Sequence, residues 1–380
     1  MKFGLSEFHL QIKGVARDFA ESVLKPTVIE RDIEARFPEE EVRQMGELGF
    51  MGMLVPEEYS GLNTGYLAYV IVMEEIARVD GGTSTIMSVQ NSLIEWPILR
   101  YGSEEIKRRY LPLLARGEWL GAYCLSEAEA GSDAASQKST AIKKGDRYIL
   151  NGTKVWITTG GHASLFIVFA QSNPQLKHKG INAFVVERNW NGVIIGKKED
   201  KMGIRTSDTH TIIFEDVEVP ETHRLGVEGE GFKIAMSVLN GGRIGIAAQA
   251  VGIAQGAFEI AAKYATERHT FGKPIIDHQA IAMKLAEMKT RIEAARLLLY
   301  EAAYNADLGR DYSLQASVAK YYASETAMFV TTEAVQILGG YGYVREYHVE
   351  RMMRDAKITQ IYEGTSEIQQ LVISRHLARM

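Results

Sequence analysis

Apolar residues recur at helical spacing through the first third of the chain. Val42, Met45 and Leu48 line one face behind Phe37-Pro38-Glu39-Glu40-Glu41. There a proline opens the helix and three acids occupy its positive end. Ser103 ahead of Glu104-Glu105 reads as an N-cap, and Gly117 as a stop. The middle third changes period. Tyr148-Ile149-Leu150 and Val155-Trp156-Ile157-Thr158 flank Asn151-Gly152, which predicts a hairpin with a two-residue turn. Residues 165–169, 183–186, 192–195 and 211–214 form further β-rich runs with turn residues between them. From Gly231 the helical spacing returns. Ile281, Leu285, Met288, Ile292 and Leu299 form one stripe, and Ser313 reads as the cap of a helix running to Leu338. The pattern predicts a multi-domain α+β chain. It has an N-terminal helical domain over 1–119, a central antiparallel β domain over 120–226, and a C-terminal domain resembling a four-helix bundle over 227–380.

Composition narrows the function classes. Hydrophobic residues make up 46% and charged residues 24% of the 380, the profile of a soluble globular protein. A net charge of -5 argues against a broad grip on nucleic acid, and Lys107-Arg108-Arg109 reads as a solvated helix face. Cys124 is the only cysteine, which excludes an intramolecular disulfide and fits a reducing compartment. The stretch Met1 to Glu7 has no apolar h-region and carries an early acid, so no secretory signal is expected. The longest apolar stretch, Ala247 to Ala262, is broken by Gln249, Gln255 and Glu259 and reads as a buried helix, not a membrane span. A cytoplasmic location is the default expectation. The nine histidines have no zinc-like spacing, so no metal site is expected. Walker A and Gly-x-Ser-x-Gly motifs are absent. Gly340-Tyr341-Gly342 fails the dinucleotide fingerprint because Arg345 stands where its third glycine belongs.

Five segments carry candidate chemistry. Tyr123-Cys124-Leu125-Ser126-Glu127, continuing to Ala130-Gly131-Ser132-Asp133, is either a strand end with a Gly-Ser turn or a loop that meets a polar ring edge. Lys154-Val155-Trp156-Ile157-Thr158 places a tryptophan on a strand, as core or as cover for a planar cofactor. Arg268-His269-Thr270-Phe271-Gly272-Lys273-Pro274 is an inter-helix turn whose arginine is either solvated or a cation for a diphosphate. Gln336 to Tyr343, with Gly339-Gly340 and Gly342, reads as a helix C-cap and loop. Ile361-Tyr362-Glu363-Gly364-Thr365 sets one glutamate beside glycine, a candidate base for a weakly acidic carbon-bound proton.

Together, in this order and at these separations, the five segments resemble the acyl-CoA dehydrogenase family over essentially the whole chain. The first and fourth match its two signature patterns, and short-chain, butyryl-CoA members are the most similar. The resemblance implies FAD-dependent α,β-dehydrogenation of a short-chain acyl-CoA to the trans-2-enoyl-CoA, a step of fatty acid β-oxidation. Glu363 would abstract the α proton, and hydride would pass from the β carbon to flavin N5. Tyr123, Leu125, Ser126 and Ser132 would contact FAD, with Trp156, Ile157 and Thr158 near its ring. Arg268, Phe271, Gln279, Gln336, Gly339 and Gly340 would come from a neighbouring subunit, while Thr365 and Glu367 complete the site. Ser132, Asn240, Gly241, Gly242, Arg243, Tyr362 and Gly364 would meet the substrate, with acyl depth set near Ser88, Val89 and Gln90. The implied partners are an electron-transfer flavoprotein and further copies of the chain, as a homotetramer built from dimers that share FAD. Some relatives place the base near position 242; here that position is glycine. Alternatives that keep the fold are a short branched-chain dehydrogenase, an acyl-CoA oxidase, and a non-catalytic scaffold.

Overall fold

The computed structural model describes residues 4–378. Met1, Lys2 and Phe3, part of the stretch read above for a signal, lie outside the described residues. Seven helices come first: α1 (Glu7–Phe19), α2 (Val28–Glu34), α3 (Glu39–Glu47), α4 (Gly65–Ala77), α5 (Gly81–Ser88), α6 (Trp96–Tyr101) and α7 (Glu104–Ala115). Ser103 caps α7, its Oγ accepting from the Ile106 amide at 3.3 Å, and Gly117 follows at φ +68°. Asp80 caps α5 by accepting from the amides of Gly82 and Thr83. Between α5 and α6 the chain stays helical but widens to a π-helix over Val89–Glu95. Its Asn91 side chain bonds the Met53 amide and the Phe50 carbonyl, filling the widened turn.

A mostly antiparallel sheet follows: β1 (Gly121–Cys124), β2 (Thr140–Lys144), β3 (Arg147–Thr158), β4 (Leu165–Gln171), β5 (Ile181–Glu187), β6 (Val193–Lys198), β7 (Thr209–Pro220) and β8 (Arg224–Leu225). Its order is β6-β7-β3-β2-β4-β5-β8, with β1 parallel to β4. The Asn-Gly hairpin expected at 151–152 does not form. β3 runs straight through it, and the turn lies at Gly145-Asp146 between β2 and β3. Asn151 and Gly152 instead sit at a register shift against β7. The Asn151 side chain exchanges two hydrogen bonds with Asp216, and a Cβ at Gly152 would meet Ser139 Oγ at 2.2 Å. A second shift between Lys154 and Ile157 leaves Trp156 at φ +62° and 65% exposed.

The chain ends in helices: α8 (Gly231–Glu267), a short hairpin of β9 (His269–Thr270) and β10 (Lys273–Pro274), α9 (Gln279–Asp307), α10 (Ser313–Leu338), α11 (His348–Thr359) and α12 (Ser366–Leu377). α8 is the one helix among the described residues long and apolar enough to cross a membrane, and most of it is buried in the core. The expected cap Ser313 is itself capped: its amide donates to Asp311 Oδ1 at 3.0 Å, while its hydroxyl meets His376. Leu285, Met288, Ile292 and Leu299 of α9 are buried as a stripe, and the alanine face of α10 packs on α8.

Candidate active site

Glu363 lies in the turn between α11 and α12, in left-handed backbone at φ +56°, and Gly364 follows at φ +86°. A non-glycine residue takes this conformation at a cost that surrounding contacts must offset. The contacts around this turn are specific. The Gln369 side-chain amide donates to the carbonyls of Glu363 and Gly364 at 3.0 and 2.8 Å. Lys320 Nζ donates to the Gly364 carbonyl at 2.6 Å. Thr365 caps α12 through the Ile368 amide, and the Ser366 amide closes on the Gln360 carbonyl. Tyr362 donates its hydroxyl to Gln249, whose side-chain amide donates to Gly81 and Thr85 at 2.7 Å each.

The turn drives the carboxylate inward. The residue as a whole is half-buried, but Glu363 Oε2 is buried and has no hydrogen-bond partner. Burial lifts its pKa to about 7, although Arg243 and Lys320 pull the other way. Opposite lies Gly242 of α8, where a Cβ would stand 2.6 Å from Glu363 Oε2. Around the carboxylate are the buried, unpartnered hydroxyls of Tyr69 and Tyr123; burial first, and then the charge of Glu363, keeps both protonated. Arg243 is buried, donating to Asn240 Oδ1 at 2.8 Å while its Nε has no partner. An acid near neutrality, with no donor on its Oε2 among the described residues and facing a glycine, is equipped to take a proton from a bound ligand.

The remaining expected site residues fall into two groups. Tyr123, Leu125, Ser126 and Ser132 lie on β1 and the loop after it, beside β3. Lys154, fully buried, ties this loop down by donating to the Leu125 carbonyl, Glu127 and Gln137, and the Val155 amide donates to the Ser126 carbonyl. Leu125 is buried, Ser126 half-buried and Ser132 exposed. Trp156 faces solvent and Thr158 is half-buried, but the Ile157 side chain lies in the sheet core with Phe166 and Phe214. Only its backbone is free to meet a flavin.

The second group is Arg268, Phe271, Gln279, Gln336, Gly339 and Gly340. Arg268, Thr270, Gly339, Gly340 and Tyr341 line a cleft of about 600 Å³. Arg268 stacks over Tyr341 at 5.9 Å and has no carboxylate partner among the described residues. Phe271 caps the hairpin, 97% exposed; Gln279, Gln336 and Glu367 are also exposed. Arg268 stands at the far end of α8, roughly 39 Å from Gly242 at 1.5 Å per residue.

Several residues here carried no sequence signal: Lys320, Gln369, Tyr69 and the α5 partners of Gln249. Of the residues expected to set acyl depth, Ser88 closes on Gly245, where a Cβ would lie 2.4 Å from its Oγ. Gln90 is committed elsewhere, bonding the carbonyls of Leu114 and Trp119 and the Gly121 amide, so its side chain is not free to line an acyl channel.

Three family models match in sequence order: acyl-CoA dehydrogenase, N-terminal domain, over residues 6–118; middle domain, over 122–217; and C-terminal domain, over 229–378. The short-chain specific acyl-CoA dehydrogenase of Clostridium acetobutylicum is 48% identical over 379 residues, covering 100% of both chains. Butyryl-CoA dehydrogenase from Megasphaera elsdenii superposes with a TM-score of 0.98 at 47% identity, again over 100% of both chains. A chain from a structure of the electron transferring flavoprotein of Acidaminococcus fermentans superposes at 0.99 with 50% identity and the same full coverage. The chain belongs to the acyl-CoA dehydrogenase family.

Proposed function

We propose that this oxidoreductase converts a short-chain acyl-CoA to the trans-2-enoyl-CoA, with Glu363 as the base and FAD as the cofactor. The observation that carries the assignment of the base is the buried, unpartnered Oε2 of Glu363 facing Gly242. A carbon acid beside a thioester is far weaker than an ordinary carboxylic acid. A base whose pKa is raised to about 7 narrows that gap and is still about half ionised near neutral pH. The glycine at 242 lets the carboxylate close on α8 with no side chain between them. The Glu363 amide in its fixed turn is the candidate donor to the thioester oxygen, where negative charge develops. Tyr69, Tyr123 and the π-helix wall exclude water from the carboxylate.

FAD, when bound, supplies the acceptor for the hydride leaving the β carbon. The residues present fit it: an exposed Trp156 beside a tethered polar loop at one end, and an unpaired Arg268 over an open glycine pair at the other. The length of α8 between Gly242, beside the carboxylate, and Arg268 supports a flavin shared by two chains. Dimers that share FAD and pair into a tetramer are the assembly we propose, with an electron-transfer flavoprotein taking the electrons.

The test is an anaerobic titration of the purified yellow protein with butyryl-CoA, followed by its visible spectrum. Bleaching of the flavin is expected. A colourless protein that cannot be reconstituted with FAD would sink the enzyme reading, and a flavin that stays oxidised would remove the short straight-chain substrate.

A further inference from the structure

We propose that Lys320 is the positioning residue of the base: its buried ammonium, bonded to the Gly364 carbonyl, holds the left-handed Glu363-Gly364 turn so that the carboxylate projects over Gly242. The inference rests on Glu363 being the base. Lys320 has no exposed surface and sits in α10 on a buried face with Ala316, Ser317, Ala319, Ala323 and Ser324. A lysine among small side chains in a core is costly to bury unless its charge is used. Among the described residues its ammonium makes one hydrogen bond, to the Gly364 carbonyl at 2.6 Å. That carbonyl also accepts from Gln369, so two donors converge on the peptide after the base.

The same ammonium acts on the charge of the base. Burial lowers the pKa of Lys320 to about 8, with Glu363 the largest opposing influence, so it is charged in the range where Glu363 ionises. The other groups that face this pair are Arg243 from α8, Tyr69 from α4, Tyr123 from β1 and the adjacent Tyr362. Glu325 of α10 and Glu367 of α12 bear on Lys320 alone. Arg243 is bonded to Asn240, so Lys320 is the cation that touches the turn itself.

The experiment follows two readouts in holoenzyme. One is the pH dependence of flavin reduction by butyryl-CoA. The other is the infrared titration of the carboxyl band that Glu363→Gln removes, which needs no turnover. In Lys320→Met both midpoints are expected to rise by about one pH unit, the low end of what loss of a close opposite charge produces. Lys320→Arg, which keeps charge and donor, is expected to restore the parent midpoint. Should the methionine variant not fold, Lys320→Gln carries the same test, with the same rise expected. Loss of thermal stability with both midpoints unmoved would overturn the proposal and leave Lys320 a structural residue. Near-normal reduction in Glu363→Gln would instead remove the base assignment, whatever Lys320 does.

Discussion

Gly242 and Glu363 occupy one volume: a single methyl group on residue 242 would sit 2.6 Å from Glu363 Oε2 and 2.9 Å from its Cδ. The carboxylate is the movable partner, because Gly242 is fixed inside α8 and the added methyl group would also meet Leu93 Cδ2 at 3.1 Å. Gly242→Ala is therefore expected to turn the base away while leaving the helix intact. A displacement near 1 Å at the reacting centre costs on the order of 100-fold in rate. Stopped-flow reduction of the bound flavin by butyryl-CoA measures this directly. A rate within about threefold of the parent would show that the carboxylate does not work from this position.

The helical framework was legible in the sequence because its cores are periodic. The stripe from Leu285 to Leu299 and the cap at Ser103 both stand where the spacing put them. The Asn151-Gly152 pair misled because the two residues that favour a tight turn also favour a bulge. Asp216, distant in sequence, decides between them by bonding both ends of the Asn151 amide. The proposed base, Glu363, was legible only as a glutamate beside a glycine. Its left-handed backbone, and the fact that Lys320 and Gln369 hold it there, depend on how α10 and α12 pack around the turn. No local pattern records that packing, and a lysine spaced among alanines and serines gives no sign of which way it points.

The raised pKa of Glu363 has a consequence for stability. Its carboxyl titrates at about 7 when folded, against 4.5 ordinarily. A group whose folded pKa lies above its unfolded value favours the folded state while it is protonated. That contribution is whole below about pH 4.5, declines as pH rises toward 7, and is lost above. Glu363→Gln, neutral throughout, removes the dependence. The variant is expected to melt higher than the parent at about pH 8, by more than about 1 kcal/mol, with the difference shrinking toward pH 4.5. A difference independent of pH would mean the carboxyl titrates at its ordinary value.

Glu363→Gln also tests the chemistry without touching the flavin contacts. It is expected to keep FAD, while reduction by butyryl-CoA falls by at least about 100-fold, the scale of a lost general base. In the parent, kcat/KM should rise with pH up to about 7 and then level, following ionisation of the base. A profile flat across this range would assign the proton transfer to another group.

Arg268 bears on assembly. It is a cation without a carboxylate partner among the described residues, in an open cleft at the end of α8 away from Glu363. If two chains share each flavin, Arg268→Glu should weaken FAD retention and association together, because the diphosphate then meets a like charge. Light scattering and the flavin-to-protein absorbance ratio, measured on one sample, check both. Loss of flavin from an intact oligomer would show that assembly does not depend on the shared cofactor, and an intact holo-oligomer would count against Arg268 as a flavin contact.

The three parts of the chain meet at a buried ion network that holds the site together from behind. Arg31 pairs with Asp80 at 2.9 Å, and Arg351 with Asp355 at 2.9 Å, all four buried. The sheet joins through the Ile204 amide on Asp355 and Thr206 Oγ1 on Asp80 at 2.9 Å. Arg351 also donates to the Val79 carbonyl at 2.7 Å, so one guanidinium bridges α11 to the segment that opens α5. Burial already lifts Asp355 to about 6 against the pull of Arg351. Arg351→Met removes that pull and leaves Asp355 facing Asp80 and Asp32. The expected cost is about 3–5 kcal/mol, as for other buried pairs broken from one side. Part of it should be recovered at lower pH, where Asp355 is protonated, because its pKa rises further once the arginine is gone. Urea unfolding at about pH 7 and pH 5 tests this. A loss equal at both pH values would mean the network acts through packing and not through charge.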